Sequence, residues 1–118
     1  MYNVAIIGAG PAGIFAALEI TKLKPDWKVV LVEKGQKIEK RVCLLREGYE
    51  KCPNCKKCGL LCGWGGAGAF SDGKLTLTPD VGGHLVDYMQ REKVEELIDY
   101  ADQLYLDFGA TKEVFGTD

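Results

Sequence analysis

The sequence has little of several features that mark common functional classes. Its 118 residues contain one histidine, His84, which follows two glycines and is interpreted as a loop or helix-start residue. No segment reaches the ~18 unbroken apolar residues of a membrane span. Acidic and basic side chains nearly cancel, at a net charge of -2, so neither a nucleic-acid partner nor a membrane surface is indicated. Tyr2 and Asn3 stand where a signal peptide carries basic residues, so we expect a cytoplasmic protein.

Cysteine is almost confined to one short segment. Four of the five cysteines lie between residues 52 and 62. A secreted disulfide scaffold would spread its cysteines along the chain. The cluster therefore favours metal or redox chemistry.

The first 35 residues predict a β–α–β unit. Residues 4–7 form a short apolar run that stops at Gly8, which is typical of a buried parallel strand. Residues 11–22 have a helical apolar stripe, and residues 28–32 read KVVLV, a second buried strand. The length suits a right-handed crossover. We therefore predict an α/β fold with a Rossmann-like βαβ unit.

The turn between the first strand and the helix reads GAGPAG, which matches G-x-G-x-x-G. Gly8 permits the tight turn, Gly10 lets the backbone approach a pyrophosphate, and Gly13 allows close packing of helix on strand. Pro11 and Ala12 open the helix, whose free amides and positive dipole end favour phosphates. The motif thus predicts a dinucleotide site.

Glu33 ends the second strand, twenty residues beyond Gly13, where an acidic residue is expected to bind the ribose hydroxyls. Its charge would repel a 2′-phosphate, so NADP is disfavoured at this site. Lys34 follows directly and joins the predicted cofactor-binding set. This fingerprint, the GAGPAG motif together with Glu33, does not by itself decide between FAD and NAD.

A second glycine-rich segment follows the cysteines. Five of residues 63–73 are glycine, a composition that suits neither a helix nor a central strand. Trp64 and Phe70 argue against a floppy surface loop. Such a segment can bring backbone amides close to a ligand.

The stretch GWGGAGAFSDGKL resembles that of a family of largely uncharacterised bacterial and archaeal FAD-dependent dehydrogenases, as does the downstream VGG…LIDYADQLYLDFGA…VFGTD. The resemblance implies that Gly8, Gly10, Gly13 and Glu33 hold the ADP half of FAD. It also suggests that residues 65–74 lie along the flavin. The cofactor contacts predicted in this segment are Gly65, Gly66, Ala67, Gly68, Ser71, Asp72 and Lys74.

Cys52, Cys55, Cys58 and Cys62 have the spacing of a bacterial ferredoxin run, without the proline that usually follows. A [4Fe–4S] cluster is one interpretation and a structural zinc ion another. Free or redox-active thiols are the third. These alternatives stay open at the level of sequence.

Later segments carry weaker signals. Residues 75–78, LTLT, alternate as in a short strand, and residues 91–108 have a strong helical stripe that ends at Gly109. Arg41 and Arg46 are interpreted as lying on a solvated face. A doubly wound sheet needs more strands than these, so we expect residues 1–118 to be the N-terminal part of an FAD-binding domain. Its predicted parts are the fingerprint over 1–35, a cofactor-contacting segment over 48–78 and a helical segment over 83–109.

These signals predict an FAD-dependent oxidoreductase that acts on a small-molecule substrate, with NAD(P)H as a candidate electron donor. The catalytic residues are not identified, and residues 1–118 alone are expected to be inactive. The alternative is a non-catalytic nucleotide-binding module that holds a structural zinc ion through its cysteines.

Overall fold

A computed structural model describes residues 1–114. The chain divides into two compact units, Met1–Gly73 and a second that begins at Lys74. Residues 115–118, the end of the family-like VFGTD stretch, lie outside the described residues.

The first unit opens with the predicted βαβ arrangement. Strand β1 covers Val4–Ile7, helix α1 covers Pro11–Leu23, and strand β2 covers Val29–Val32. The strands pair in parallel, from Val4 opposite Val29 to Ile7 opposite Val32. The predicted Rossmann-like α/β unit is thus confirmed, and its sheet has two strands within residues 1–114.

The bounds of α1 follow from its end residues. Gly10 is the extended N-cap and Pro11 stands at the first helical position, where its missing amide is tolerated. The helix ends at Leu23, one residue beyond the predicted end, and the Lys24 amide donates to the carbonyl of Ile20. This short helix therefore carries the chain from β1 to β2.

The rest of the first unit is mostly irregular. Short 3-10 helices cover Ile38–Lys40 and Ala67–Phe70. Gln36 and Gly63 form a parallel bridge, so the start of the glycine-rich segment runs alongside the chain that leaves β2. This bridge brings residues distant in sequence to the end of the sheet.

The second unit contains one long helix among its described residues. Helix α2 covers Arg91–Asp107, as its apolar stripe predicts, with Val94 buried and Gly109 at a φ of 96° just after its end. A short 3-10 helix at Leu85–Asp87 precedes it. The predicted strand over 75–78 is wrong. No other described segment pairs with LTLT, and Leu75 and Leu77 are exposed.

Four residues are buried in the described part of the chain: the small residues Ala9 and Gly63, the apolar Val94 and the charged Arg41. None of the helices between residues 1 and 114 has the length and apolar character that crossing a membrane requires.

Candidate dinucleotide-binding site

The three fingerprint glycines meet different surroundings. Gly8 has a φ of 103°, in the left-handed region that favours glycine, and so allows the sharp exit from β1. A Cβ on Gly13 would collide with the carbonyl of Gly8 and touch Ile6, so this glycine sets how closely α1 lies on β1. A Cβ on Gly10 would meet nothing within 4 Å. The backbone at Gly10 is therefore open to a ligand.

Helix α1 presents its N-terminus at this open face. The Ile14 amide donates to the Gly10 carbonyl at 3.0 Å, and helical geometry leaves the amides of Ala12 and Gly13 without an intrahelical acceptor. Within the described chain no side chain caps this end, and the first turn holds no acidic residue. Amides and dipole together offer a positive end to an anionic group.

Ala9, between the first two glycines, is held from both sides. It is fully buried. Its amide donates to Glu33 Oε2 at 2.8 Å, and its carbonyl accepts from the Gly65 amide, also at 2.8 Å. The turn is therefore tied to the end of β2 and to the glycine-rich segment at one residue.

Glu33 uses both carboxylate oxygens on backbone amides. Oε2 accepts from Ala9, and Oε1 accepts from Gly35 at 2.8 Å. These two hydrogen bonds, led by the bond from Ala9, lower the pKa of Glu33 below its usual value, and the charges of Lys34 and Arg41 add to the effect. Each oxygen has a further lone pair, so the carboxylate can also accept from a ribose hydroxyl.

A surface depression of about 330 Å³ lies at the carboxyl ends of β1 and β2. Ile7 and Val32 supply its apolar walls, and Gly8, Glu33 and Lys34 complete the lining. Ligands of parallel α/β sheets bind at this end of the strands. The predicted residues Glu33 and Lys34 are thus beside the predicted turn.

The start of the glycine-rich segment packs against the same turn. A Cβ on Gly66 would lie 3.1 Å from Gly10 Cα and 3.3 Å from Pro11 Cδ, and Gly66 has a φ of 62°. A Cβ on Gly68 would lie 3.9 Å from Pro11 Cγ. The two glycine-rich segments, far apart in sequence, are therefore neighbours in the fold.

The amides of this segment serve the protein itself. Trp64 donates to the carbonyl of Gln36 at 3.1 Å, Gly65 to Ala9, and Gly66 to Gly63 at 2.9 Å. The amides of Gly65 and Gly66 are therefore engaged within the protein, and both residues have positive φ angles. Their cofactor roles stay predictions. Ala67 follows as the first residue of a 3-10 helix.

Arg41 contradicts the expectation of a solvated face. Its side chain donates to four backbone carbonyls: Nε to Gly59 at 2.9 Å, Nη2 to Leu60 at 2.7 Å, and Nη1 to Trp64 and Gly66 at 2.6 and 2.8 Å. The guanidinium also lies 4.7 Å from the centre of the Phe70 ring. Arg41 is 6% exposed, whereas Arg46 is exposed, as expected.

Ser71, Asp72 and Lys74 form the polar end of the predicted cofactor-contacting segment. Ser71 Oγ accepts from the amide of Gly73, which forms a local turn. Ser71 and Asp72 are near the end of the first unit, and Lys74 begins the second. All three are exposed, and their cofactor roles stay predictions.

The cysteine run lies in an irregular loop. Cys52 and Cys55 are exposed, whereas Cys58 and Cys62 are half-buried and joined by a hydrogen bond from the Cys62 amide to the Cys58 carbonyl. Across residues 1–114, no group of three or more cysteine, histidine or acidic side chains is arranged to hold a metal. This loop conformation does not fit a cluster or a zinc ion.

Two residues of the site escaped the sequence analysis. Ala9 occupies a variable position of the motif, and only its burial reveals its role. Arg41 acts on backbone carbonyls, which every residue carries, so no partner motif could indicate it.

The βαβ unit, its glycine turn and the terminal glutamate define a dinucleotide-binding class of fold. Residues 3–42 match the family model described as FAD binding domain, which supports FAD as the nucleotide. An uncharacterized protein from Clostridium beijerinckii (strain ATCC 51743 / NCIMB 8052) is 39% identical over 71 residues, or 60% of this chain. The aligned part is 13% of the length of that protein. No solved structure matches the chain significantly.

Proposed function

We propose that this chain supplies the FAD-binding turn of a flavin-dependent oxidoreductase. The observation that carries the proposal is the open Gly10 backbone at the uncapped N-terminus of α1, within the segment that matches the FAD binding domain. When bound, FAD supplies the hydride or electron transfer. The residues of this chain bind and orient it.

The contacts divide between the halves of the nucleotide. The amides of Ala12 and Gly13 suit the pyrophosphate, and Glu33 suits the ribose hydroxyls. The depression walled by Ile7 and Val32 is the proposed place of the adenosine. Gly66 and Gly68, against Gly10 and Pro11, continue the surface toward the flavin half.

The partners of the whole protein belong to the same proposal. We infer a small-molecule substrate that the flavin oxidises or reduces, with NAD(P)H as a candidate electron donor, in the cytoplasm. The substrate-binding and catalytic groups are proposed to lie in the full-length protein outside residues 1–118, because the part of the Clostridium beijerinckii protein that aligns with this chain is 13% of its length.

The test is the absorption spectrum of the purified full-length protein. Two visible flavin bands, with FAD released on denaturation in a one-to-one ratio, are expected. A Glu33→Gln variant should bind FAD more weakly. Glu39→Gln is its matched control, because both variants replace a glutamate of the same region and Glu39 is exposed. A colourless protein that takes up no added FAD would contradict the proposal.

The alternative predicted from the sequence, a nucleotide-binding module with structural zinc on Cys52, Cys55, Cys58 and Cys62, has no gathered set of ligands among residues 1–114 to support it. Metal analysis of the same sample separates the two. Stoichiometric zinc without flavin would favour the module, and broad absorbance that bleaches with dithionite would indicate an iron–sulfur cluster beside the flavin. Flavin without either metal would leave the cysteines as thiols.

A further inference from the structure

We propose that Arg41 is a positioning residue for the dinucleotide turn, which it holds through the glycine-rich segment without touching the nucleotide. This inference rests on the proposed function and concerns how that site is kept in shape.

Arg41 holds residues 59–66 through four hydrogen bonds to their backbone. Four of its five N–H groups donate to the carbonyls of Gly59, Leu60, Trp64 and Gly66, at 2.6 to 2.9 Å. The side chain is 6% exposed. A buried charge is tolerated when carbonyls surround it, and the rigid guanidinium fixes the angles between them. Residues 59–66 are thereby folded around one side chain.

Residues 64–66 in turn contact the dinucleotide turn. Trp64 and Gly66, whose carbonyls Arg41 holds, flank Gly65, and the Gly65 amide donates to the Ala9 carbonyl at 2.8 Å. Gly66 also lies so close to the turn that a Cβ on it would come within 3.1 Å of Gly10 Cα and 3.3 Å of Pro11 Cδ. A shift of the segment would therefore move the backbone that faces the pyrophosphate.

Arg41 also influences Glu33. The Ala9 amide donates to Glu33, and the charge of Arg41 contributes to the lowered pKa of that carboxyl. Arg41 thus acts on Glu33 both along hydrogen bonds and through space. Arg46 also lies near the Phe70 ring, with its guanidinium 5.5 Å from the centre of the ring, but it is exposed.

The test compares Arg41→Lys with Arg46→Lys in the full-length apoprotein. Lysine keeps the charge but has one donor group, which does not span four carbonyls. Dissociation constants are measured for FAD and for ADP, a probe of the adenosine half, well below the melting temperature of each apoprotein. We expect Arg41→Lys to weaken both ligands by a similar factor of about tenfold or more. Arg46→Lys should stay within about twofold of wild type.

A second variant covers the case in which Arg41→Lys does not fold. Arg41→Ala leaves a space that free guanidinium ion fits, so guanidinium below denaturing concentrations should restore the FAD affinity of Arg41→Ala and leave that of Arg46→Ala, which is expected to stay near wild type, unchanged. A merely structural role would lower the melting temperature and leave the affinities of the folded protein unchanged.

The outcomes separate the two proposals. If Arg41→Lys binds FAD as tightly as wild type does, and likewise ADP, the positioning role is overturned and the FAD proposal stands. A wild-type protein that binds neither ligand would overturn the proposed function and, with it, this inference.

Discussion

At the level of single residues, glycines of one motif carry different constraints. A Cβ fits at Gly10 with no atom within 4 Å, whereas at Gly13 it would strike the Gly8 carbonyl. Gly10 therefore leaves room for a ligand, whereas Gly13 is required by the packing of α1 on β1. The motif alone does not distinguish these roles, because both positions are simply glycine.

We expect Gly10→Ala to lose FAD binding by about tenfold or more and to change the free energy of unfolding by only about 0.5 kcal/mol. Gly13→Ala should lower that free energy by about 1–3 kcal/mol, because the methyl group displaces α1 from β1. Urea unfolding and FAD titration of both variants measure the two effects. Gly83→Ala is the control, since its Cβ also meets open space and lies outside the turn. The assignment fails if Gly10→Ala destabilises the fold as much as Gly13→Ala.

Glu33 makes the site sensitive to acid. Its pKa is lower in the folded chain than the ordinary 4.5, so its contribution to stability is complete above pH 4.5 and is lost as the pH falls through the lowered value. Protonation removes acceptors from the amides of Ala9 and Gly35.

Glu33→Gln should abolish this acid dependence and weaken FAD at neutral pH, because one end of the amide group would face a donor with another donor. Melting temperatures and FAD affinities from pH 7 to pH 3 test the prediction. If the melting temperature of Glu33→Gln depends on pH in the same way as that of Glu39→Gln, Glu33 has no part in holding the turn.

At the level of elements, β1, α1 and β2 could be predicted because their signals are local. An apolar run, a helical stripe and a glycine turn each act within about a dozen residues. The LTLT segment has the right alternation, but a strand also needs a pairing partner, and none of the described segments supplies one. Pattern alone therefore overpredicted this strand.

Helix α2 is anchored at its start by an ion pair from the preceding loop. Arg91 donates from Nη1 and Nη2 to Asp80 Oδ1 and Oδ2 at 2.8 and 2.7 Å, and from Nε to Glu95. The hydrogen bonds from Arg91, followed by that from Thr78, lower the pKa of Asp80 to about 2. Loop and first turn are therefore coupled.

Asp80→Asn should speed amide hydrogen exchange in the first turn of α2 and leave the helix centre unchanged. In the wild-type chain the protection should be complete above pH 3.8 and fade as the pH falls toward 2, because the folded-state pKa is the lower one. Asp99→Asn, on the exposed side of the same helix, is the control. Equal exchange in both variants would argue against the anchor.

At the level of the whole molecule, the arrangement of the candidate site was only partly predictable. Gly8 to Gly13 and Glu33 lie together as the motif requires. The packing of Gly66 on Gly10 brings together two glycine-rich segments that are distant in sequence. The place of Arg41 depends on hydrogen bonds to backbone carbonyls 18 to 25 residues away. Backbone partners leave no trace in side-chain identity, so sequence reasoning placed Arg41 on the surface.

The small core sets an expectation for the chain on its own. Ile7 is 80% exposed and Val32 47% exposed, at the ends of a two-stranded sheet. Two-stranded sheets are marginal in water. Residues 1–118 expressed alone should unfold over a broad range of urea concentration and bind the dye ANS, in contrast to the full-length protein. Circular dichroism and dye fluorescence measure this, and a steep, dye-free transition would refute it.

The double tether of Ala9 has a consequence for the timing of ligand capture. Both polar backbone groups of this residue are already engaged within the protein, so the turn has its shape before a nucleotide arrives. We therefore expect the rate of nucleotide capture to be set by the frequency of encounters rather than by a slow rearrangement of the turn.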